Sequence, residues 1–187
     1  MNVVIVTDIF GCCQFVDNLV IWLEKYQTEV TVIDPYEKER HQFQNEAEAY
    51  EIFIEQCGHD SYLNVTKKII STVRPTLLIG FSAGANVLWR LSEWVGLGDA
   101  RLLCFYPSQI RYHLDIKSSV STHVIFPYQE GTFDIAIVSD EIQHNPHVKT
   151  TITPFEHGFM NKCSDGYSQE GNRWGREKIT KALIALT

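Results

Sequence analysis

Positive charge is scarce in this chain: 16 Lys and Arg stand against 23 Asp and Glu, for a net charge of −7. Nucleic-acid affinity rests on clustered Lys and Arg, and no run of like charge marks a binding tail, so no nucleic-acid partner is expected. Long apolar runs are also missing. The longest uncharged stretch, Pro75 to Trp89, is broken by Gly80, Ser82 and Gly84 and is too short to span a bilayer. The N-terminus, Met1-Asn2-Val3-Val4-Ile5-Val6-Thr7-Asp8, lacks a basic segment and meets an acid too soon for a signal peptide. Cysteines are few and odd in number: Cys12, Cys13, Cys57, Cys104 and Cys163. Their spacing is no disulfide framework, which points to reduced thiols and a cytoplasmic location. No second Cys pair accompanies Cys12-Cys13, and Pro146 interrupts His144-x-x-His147, so no metal site is expected. Neither Gly-x-Gly-x-x-Gly nor a Walker-type lysine is present, and no cofactor is expected. Repeats, linkers and low-complexity segments are lacking too. Residues 1–187 are read as one domain, large enough to bury roughly 70% of its unfolded surface without disulfide or metal staples.

What the chain does contain is an alternation of short β-branched runs with longer helical patterns. Candidate strands are Val3–Val6, Val30–Ile33, Thr76–Ile79, Leu102–Phe105, His123–Phe126 and Val148–Ile152. Most are apolar at every position, as strands are when helices cover both faces of a parallel sheet. Phe15, Leu19, Ile21, Trp22 and Tyr26 suggest a helix over 14–27. Ala49, Ile52 and Phe53 suggest a second, and residues 61–73 a third. Val87, Leu88, Leu91, Trp94 and Val95 keep helical spacing up to Gly96, a candidate C-cap, and a last helix covers about 173–186. Together these predict an α/β fold of about six mainly parallel strands, in the order 2-1-3-4-5-6.

The strongest chemical signal is Gly80-Phe81-Ser82-Ala83-Gly84, between a clean strand and a clean amphipathic helix. Gly-x-Ser-x-Gly places a serine on a sharp strand-to-helix turn, where larger residues two positions either side would clash. The turn lifts the hydroxyl above the strand ends and aims the Ala83 N–H at a developing oxyanion. In folds that use this turn the acid and then the histidine follow in chain order. His157 fits, lying beyond the last strand in Pro154-Phe155-Glu156-His157-Gly158. The acid should follow the strand ending at Phe126. Candidates are Glu130 and Asp134, with Asp140 further off. Asp134 is preferred because Gly131 supplies a turn and Asp134 can open a helix over 135–143, with Glu130 the alternative acid. An aspartate at that position can equally be an N-cap without catalytic duty.

These pieces, with Val6-Thr7-Asp8-Ile9-Phe10-Gly11 after the first strand and His157-Gly158-Phe159, resemble the dienelactone hydrolases, a compact branch of the α/β-hydrolases. The resemblance implies a triad of Ser82, Asp134 and His157, with an oxyanion hole from the Ile9 and Ala83 amides. It also implies that Asp8 neighbours the nucleophile, where the family holds a glutamate. Two departures stand out. The family's named enzyme uses a cysteine nucleophile where this chain has Ser82, and it clamps a substrate carboxylate with arginine where this chain reads Met160-Asn161-Lys162. Lysine is no like-for-like replacement for bidentate arginine, so the dienelactone itself is not the expected substrate.

The expected function is hydrolysis of a small-molecule ester or thioester through a Ser-Asp-His triad and an acyl-enzyme. Two alternatives remain: a non-catalytic binding protein for a ligand or partner, and an amidase using the same residues. Segments 107–121 and 158–172 are expected to roof the site. Oligomeric state is not legible.

Overall fold

The computed structural model describes residues 1–186. Six strands form one sheet: β1 (Asn2–Val6), β2 (Glu29–Ile33), β3 (Leu77–Phe81), β4 (Arg101–Phe105), β5 (Thr122–Phe126) and β6 (Val148–Ile152). Their order is β2-β1-β3-β4-β5-β6, and every neighbouring pair is parallel. Both the order and the strand count agree with the pattern read from the sequence.

Among the described residues six α-helices cover the sheet: α1 (Gln14–Glu24), α2 (Glu46–Gln56), α3 (Gly58–Val73), α4 (Ala83–Leu91), α5 (Ile135–Gln143) and α6 (Gln169–Ile184). The continuous apolar strands divide by parity between two cores, because successive side chains in a strand point to opposite faces. Val4, Val6, Leu78, Leu102, Cys104, Val124 and Phe126 pack against α2, α3, α4 and α5 through Phe53, Tyr62, Ile70, Leu88 and Val138. Val3, Ile5, Leu77, Ile79, Phe81, Leu103 and Ile125 pack against α1 and α6 through Phe15, Leu19, Leu23, Ile179 and Leu183. At roughly 25 cal/mol per Å2 of apolar surface, this two-sided burial is what fixes the sheet.

Several helix details differ from the sequence pattern. The buried face of α1 is Phe15, Val16, Leu19 and Leu23, whereas Ile21 and Tyr26 are exposed. The helix α4 stops at Leu91. There the Ser92 N–H and Oγ both donate to the Trp89 carbonyl, tightening the last turn. Trp94 and Val95 therefore lie beyond it, Val95 is exposed, and Gly96 sits inside a separate 3-10 turn, Val95–Leu97. The last helix begins four residues earlier than expected, with the Ser168 hydroxyl accepting from the Gly171 N–H as an N-cap. No described helix is long and apolar enough to cross a membrane.

Candidate active site

Parallel α/β sheets gather their chemistry beyond the carboxyl ends of the strands, and here that rim carries an abrupt turn. Ser82 alone separates β3 from α4, at φ 45° and ψ −107°. Non-glycine residues rarely adopt positive φ, and a position of this kind costs on the order of 1–3 kcal/mol. Its backbone is held from both sides: the Ser82 N–H donates to the Phe105 carbonyl at 2.9 Å, and the Asn86 N–H donates to the Ser82 carbonyl at 2.9 Å. The flanking glycines meet a demand for space. A Cβ on Gly84 would lie 2.2 Å from the Val6 carbonyl oxygen, and one on Gly80 would lie 2.7 Å from the Gly84 carbonyl oxygen. The turn is thus pressed directly onto the end of β1.

The structure brings His157 to this turn from 75 positions away: Ser82 Oγ and His157 Nε2 are 2.9 Å apart. His157 lies in the loop after β6, where Gly158 takes φ 75° and approaches Ser164 too closely for any side chain. The Tyr106 ring, fully buried, packs against the imidazole at a centroid distance of 5.1 Å. On the far side of the ring, His157 Nδ1 and Glu130 Oε1 are 2.6 Å apart, with the Glu130 side chain only 12% exposed. A carboxylate there selects the tautomer that carries its proton on Nδ1 and leaves Nε2 free to accept.

Asp134, the acid preferred from the sequence, does not make that contact. Its Oδ1 accepts from the Ala136 N–H at 2.8 Å and the Ile137 N–H at 3.3 Å, capping α5, and the residue is exposed. The reason is local. An aspartate that opens a helix is bound to its own first turn, whereas Glu130 sits earlier in the loop, where residues 130 and 133 form a short antiparallel bridge. The capping signature was visible in the sequence; which carboxylate faced the histidine was not.

Asp8 lies beside Ser82 at the floor of the site, 4% exposed. It accepts from the Phe10 N–H at 3.0 Å and from Asn161 Nδ2 at 2.8 Å. Burial pushes its carboxyl up to about 7, with Cys13 adding to the rise and Asn161 opposing it. Ile9 and Ala83, the expected oxyanion donors, both border a cavity of about 280 Å3 together with Ser82 and His157. The Asp8 carbonyl, in the same peptide unit as the Ile9 N–H, accepts from the Gly11 N–H at 3.1 Å, which orients that peptide. The Ala83 amide opens α4, where backbone N–H groups lack intrahelical acceptors. A helix N-terminus at this point favours negative charge.

The cavity wall also includes residues the sequence reading did not single out for the site: Glu46, Ala47, Tyr50 and Asn86. Asn86 carried a readable signal, because three residues after Ala83 it lies on the same face of α4. The α2 residues carried none, since nothing local says that this helix folds over the rim. Ser108 and Gln109 come from the first expected roof segment, and Gly158 and Ser164 from the second. Lys162 is exposed, with its ammonium over the Tyr167 ring and away from the cavity walls. All five cysteines are free thiols, and among the described residues no group of three His, Cys, Asp or Glu is placed to hold a metal.

The six-stranded parallel sheet with its flanking helices is the α/β-hydrolase fold, and the chain is structurally similar to the dienelactone hydrolase-like branch of it. A protein assigned as a dienelactone hydrolase from Klebsiella pneumoniae superposes with a TM-score of 0.74 at 12% identity, covering 98% of this chain and 86% of that one. The dienelactone hydrolase-like promiscuous phosphotriesterase P91, from metagenomic libraries, gives 0.68 at 12% identity over 99% and 86%. Esterase PE8 gives 0.56 at 12% identity over 97% and 92%. By sequence, the uncharacterized protein YczH of Bacillus subtilis (strain 168) is 29% identical over 134 residues, 68% of this chain. That match spans 64% of the relative's own length, less than two thirds. No family model matches the chain.

Proposed function

We propose that the chain is a serine hydrolase acting on a small ester or thioester, with Ser82 as nucleophile, His157 as general base and Glu130 as the acid that orients it. One observation carries this reading: the unbroken line Ser82 Oγ, His157 Nε2, His157 Nδ1, Glu130 Oε1, with links of 2.9 and 2.6 Å, starting from a strained turn. His157 takes the Ser82 proton as the oxygen attacks the carbonyl, and the imidazolium that forms faces the Glu130 carboxylate. The developing oxyanion lies between the Ile9 and Ala83 amides, where each donor is worth about 3 kcal/mol to the transition state. His157 then passes the proton to the leaving oxygen or sulfur, and water attacking the acyl-enzyme completes the cycle. The hydrolases and esterases of like fold support the reading at the level of reaction class. Five unpaired thiols support a reducing, cytoplasmic setting.

A fluorophosphonate probe tests the assignment. Wild type should be labelled at Ser82, Ser82→Ala should not be labelled, and His157→Ala should react at least a thousandfold more slowly. A folded wild type that resists the probe would overturn it in favour of a non-catalytic binding protein.

A further inference from the structure

The cavity at Ser82 does not end there. A second cavity of about 120 Å3 adjoins it, and the two share His59, Asn86 and Gln109 as common walls. The second continues to Arg90 and His113 and does not touch His157. Its floor is one face of α4, because Ala83, Asn86, Val87 and Arg90 recur at helical spacing. At 1.5 Å per residue, that floor runs about 10 Å from the nucleophile. His157 must deliver its proton to the leaving atom, so the leaving group belongs on the His157 side. The groove that runs away from His157 is left for the acyl part.

The chemistry of the groove walls narrows what that acyl part can be. Among the described residues Arg90 is the groove's one full-strength cation, and Asp60 already holds it at 2.8 Å. His59 and His113 both have their pKa lowered, by burial first and then by Arg90, and stay uncharged near neutral pH. Toward Ser82 the wall carries a carboxylate, Glu46, which lines the first cavity. A carboxylate therefore finds no unpaired positive charge here. Hydrocarbon fits no better. The Nε2 of His59 is buried without a hydrogen-bond partner among the described residues. The Oδ1 of Asn86 is taken by the Gln109 N–H at 3.0 Å, while its Nδ2 has no acceptor among the described residues. An alkyl chain laid along the groove would strip water from Asn86 Nδ2 and leave that donor unpaired, which disfavours it against a group able to accept from it.

We propose that the groove along α4 binds the acyl part of the substrate and selects an uncharged group with a hydrogen-bonding function, an amide or hydroxyl, about three to six atoms from the reacting carbonyl. This rests on the serine-hydrolase reading of Ser82. Asn86 Nδ2 donates to that group, and the Gln109 and His59 side chains wall it in.

Three p-nitrophenyl esters of matched length test the idea: hexanoate, N-acetyl-β-alaninate and the monoanionic adipate, each rate divided by its uncatalysed hydrolysis. Wild type should favour the amide ester over hexanoate by about tenfold or more in kcat/KM, with adipate slowest. In Asn86→Leu and Gln109→Leu, tested separately so that one misfolded variant does not decide the matter, that preference should collapse or invert. Fluorophosphonate labelling of Ser82 runs alongside. If labelling is normal but hexanoate or adipate is preferred, or the variants leave the ratio unmoved, the acyl-group inference fails while the hydrolase reading stands. If folded wild type is not labelled and turns over none of the esters, both fail together.

Discussion

One residue separates β3 from α4, whereas eight, residues 127–134, separate β5 from α5. Both connections bring a polar side chain to His157 at the same rim, but by opposite means. The short one permits a single conformation: Ser82 has positive φ, and Gly84 lies so close to the Val6 carbonyl that no Cβ fits. The long one carries two carboxylates four positions apart. It sends Glu130 inward to His157, while Asp134 stays outside as a helix cap. A tight turn encodes its geometry in residue type. A long loop encodes it in what packs around it, here the Tyr128 N–H bond to the Phe155 carbonyl at 2.7 Å that ties it to the histidine's own loop.

The difference can be probed by breaking each connection in turn. The largest effect is expected in the long loop: Glu130→Gln should lower kcat by about a thousandfold, because the amide can present its N–H to Nδ1 and favour the wrong tautomer. Steady-state ester hydrolysis measures this, and a drop under tenfold would remove Glu130 from the acid role. In the short turn, Gly84→Ala should cost about 3 kcal/mol, since the clash is with backbone and cannot be relieved by a rotamer change. Urea unfolding monitored by circular dichroism should show it.

A smaller effect is expected behind the turn, at Asp8. Its carboxyl rises from 3.8 to about 7 on folding. Between those values the folded protein holds a proton that the unfolded chain has released, so stability falls as pH rises through that window. Wild type should therefore lose about 2 kcal/mol more than Asp8→Asn between pH 5 and pH 8, measured by urea unfolding at both. An equal loss in the two proteins would show that Asp8 titrates normally. The smallest effect belongs to Asp134→Ala, which should cost about 1 kcal/mol of stability through the lost cap and change ester turnover by less than about twofold. A large kinetic effect there, with little at Glu130, would reverse the assignment of the two carboxylates.

Much of this was readable before any coordinates. Uninterrupted apolar runs implied a sheet covered on both faces, and the glycines around Ser82 implied a turn with no room for side chains. Helix ends were read less well. Trp94 and Val95 kept the 3.6-residue rhythm past the true end of α4, because periodicity reports a possible face and not the hydrogen bonds of Ser92 that close the last turn.

The sequence by itself determined the sheet order, the sharp turn at Ser82 and the approach of His157 to it, because each depends on local sterics or on the one-way path of a parallel sheet. Only the tertiary structure decided which carboxylate meets His157, that Glu46 and Tyr50 of α2 border the cavity, and how far the groove runs along α4. Those outcomes depend on contacts between segments distant in the chain, and side chains that meet only after folding leave no periodic trace in the order of residues.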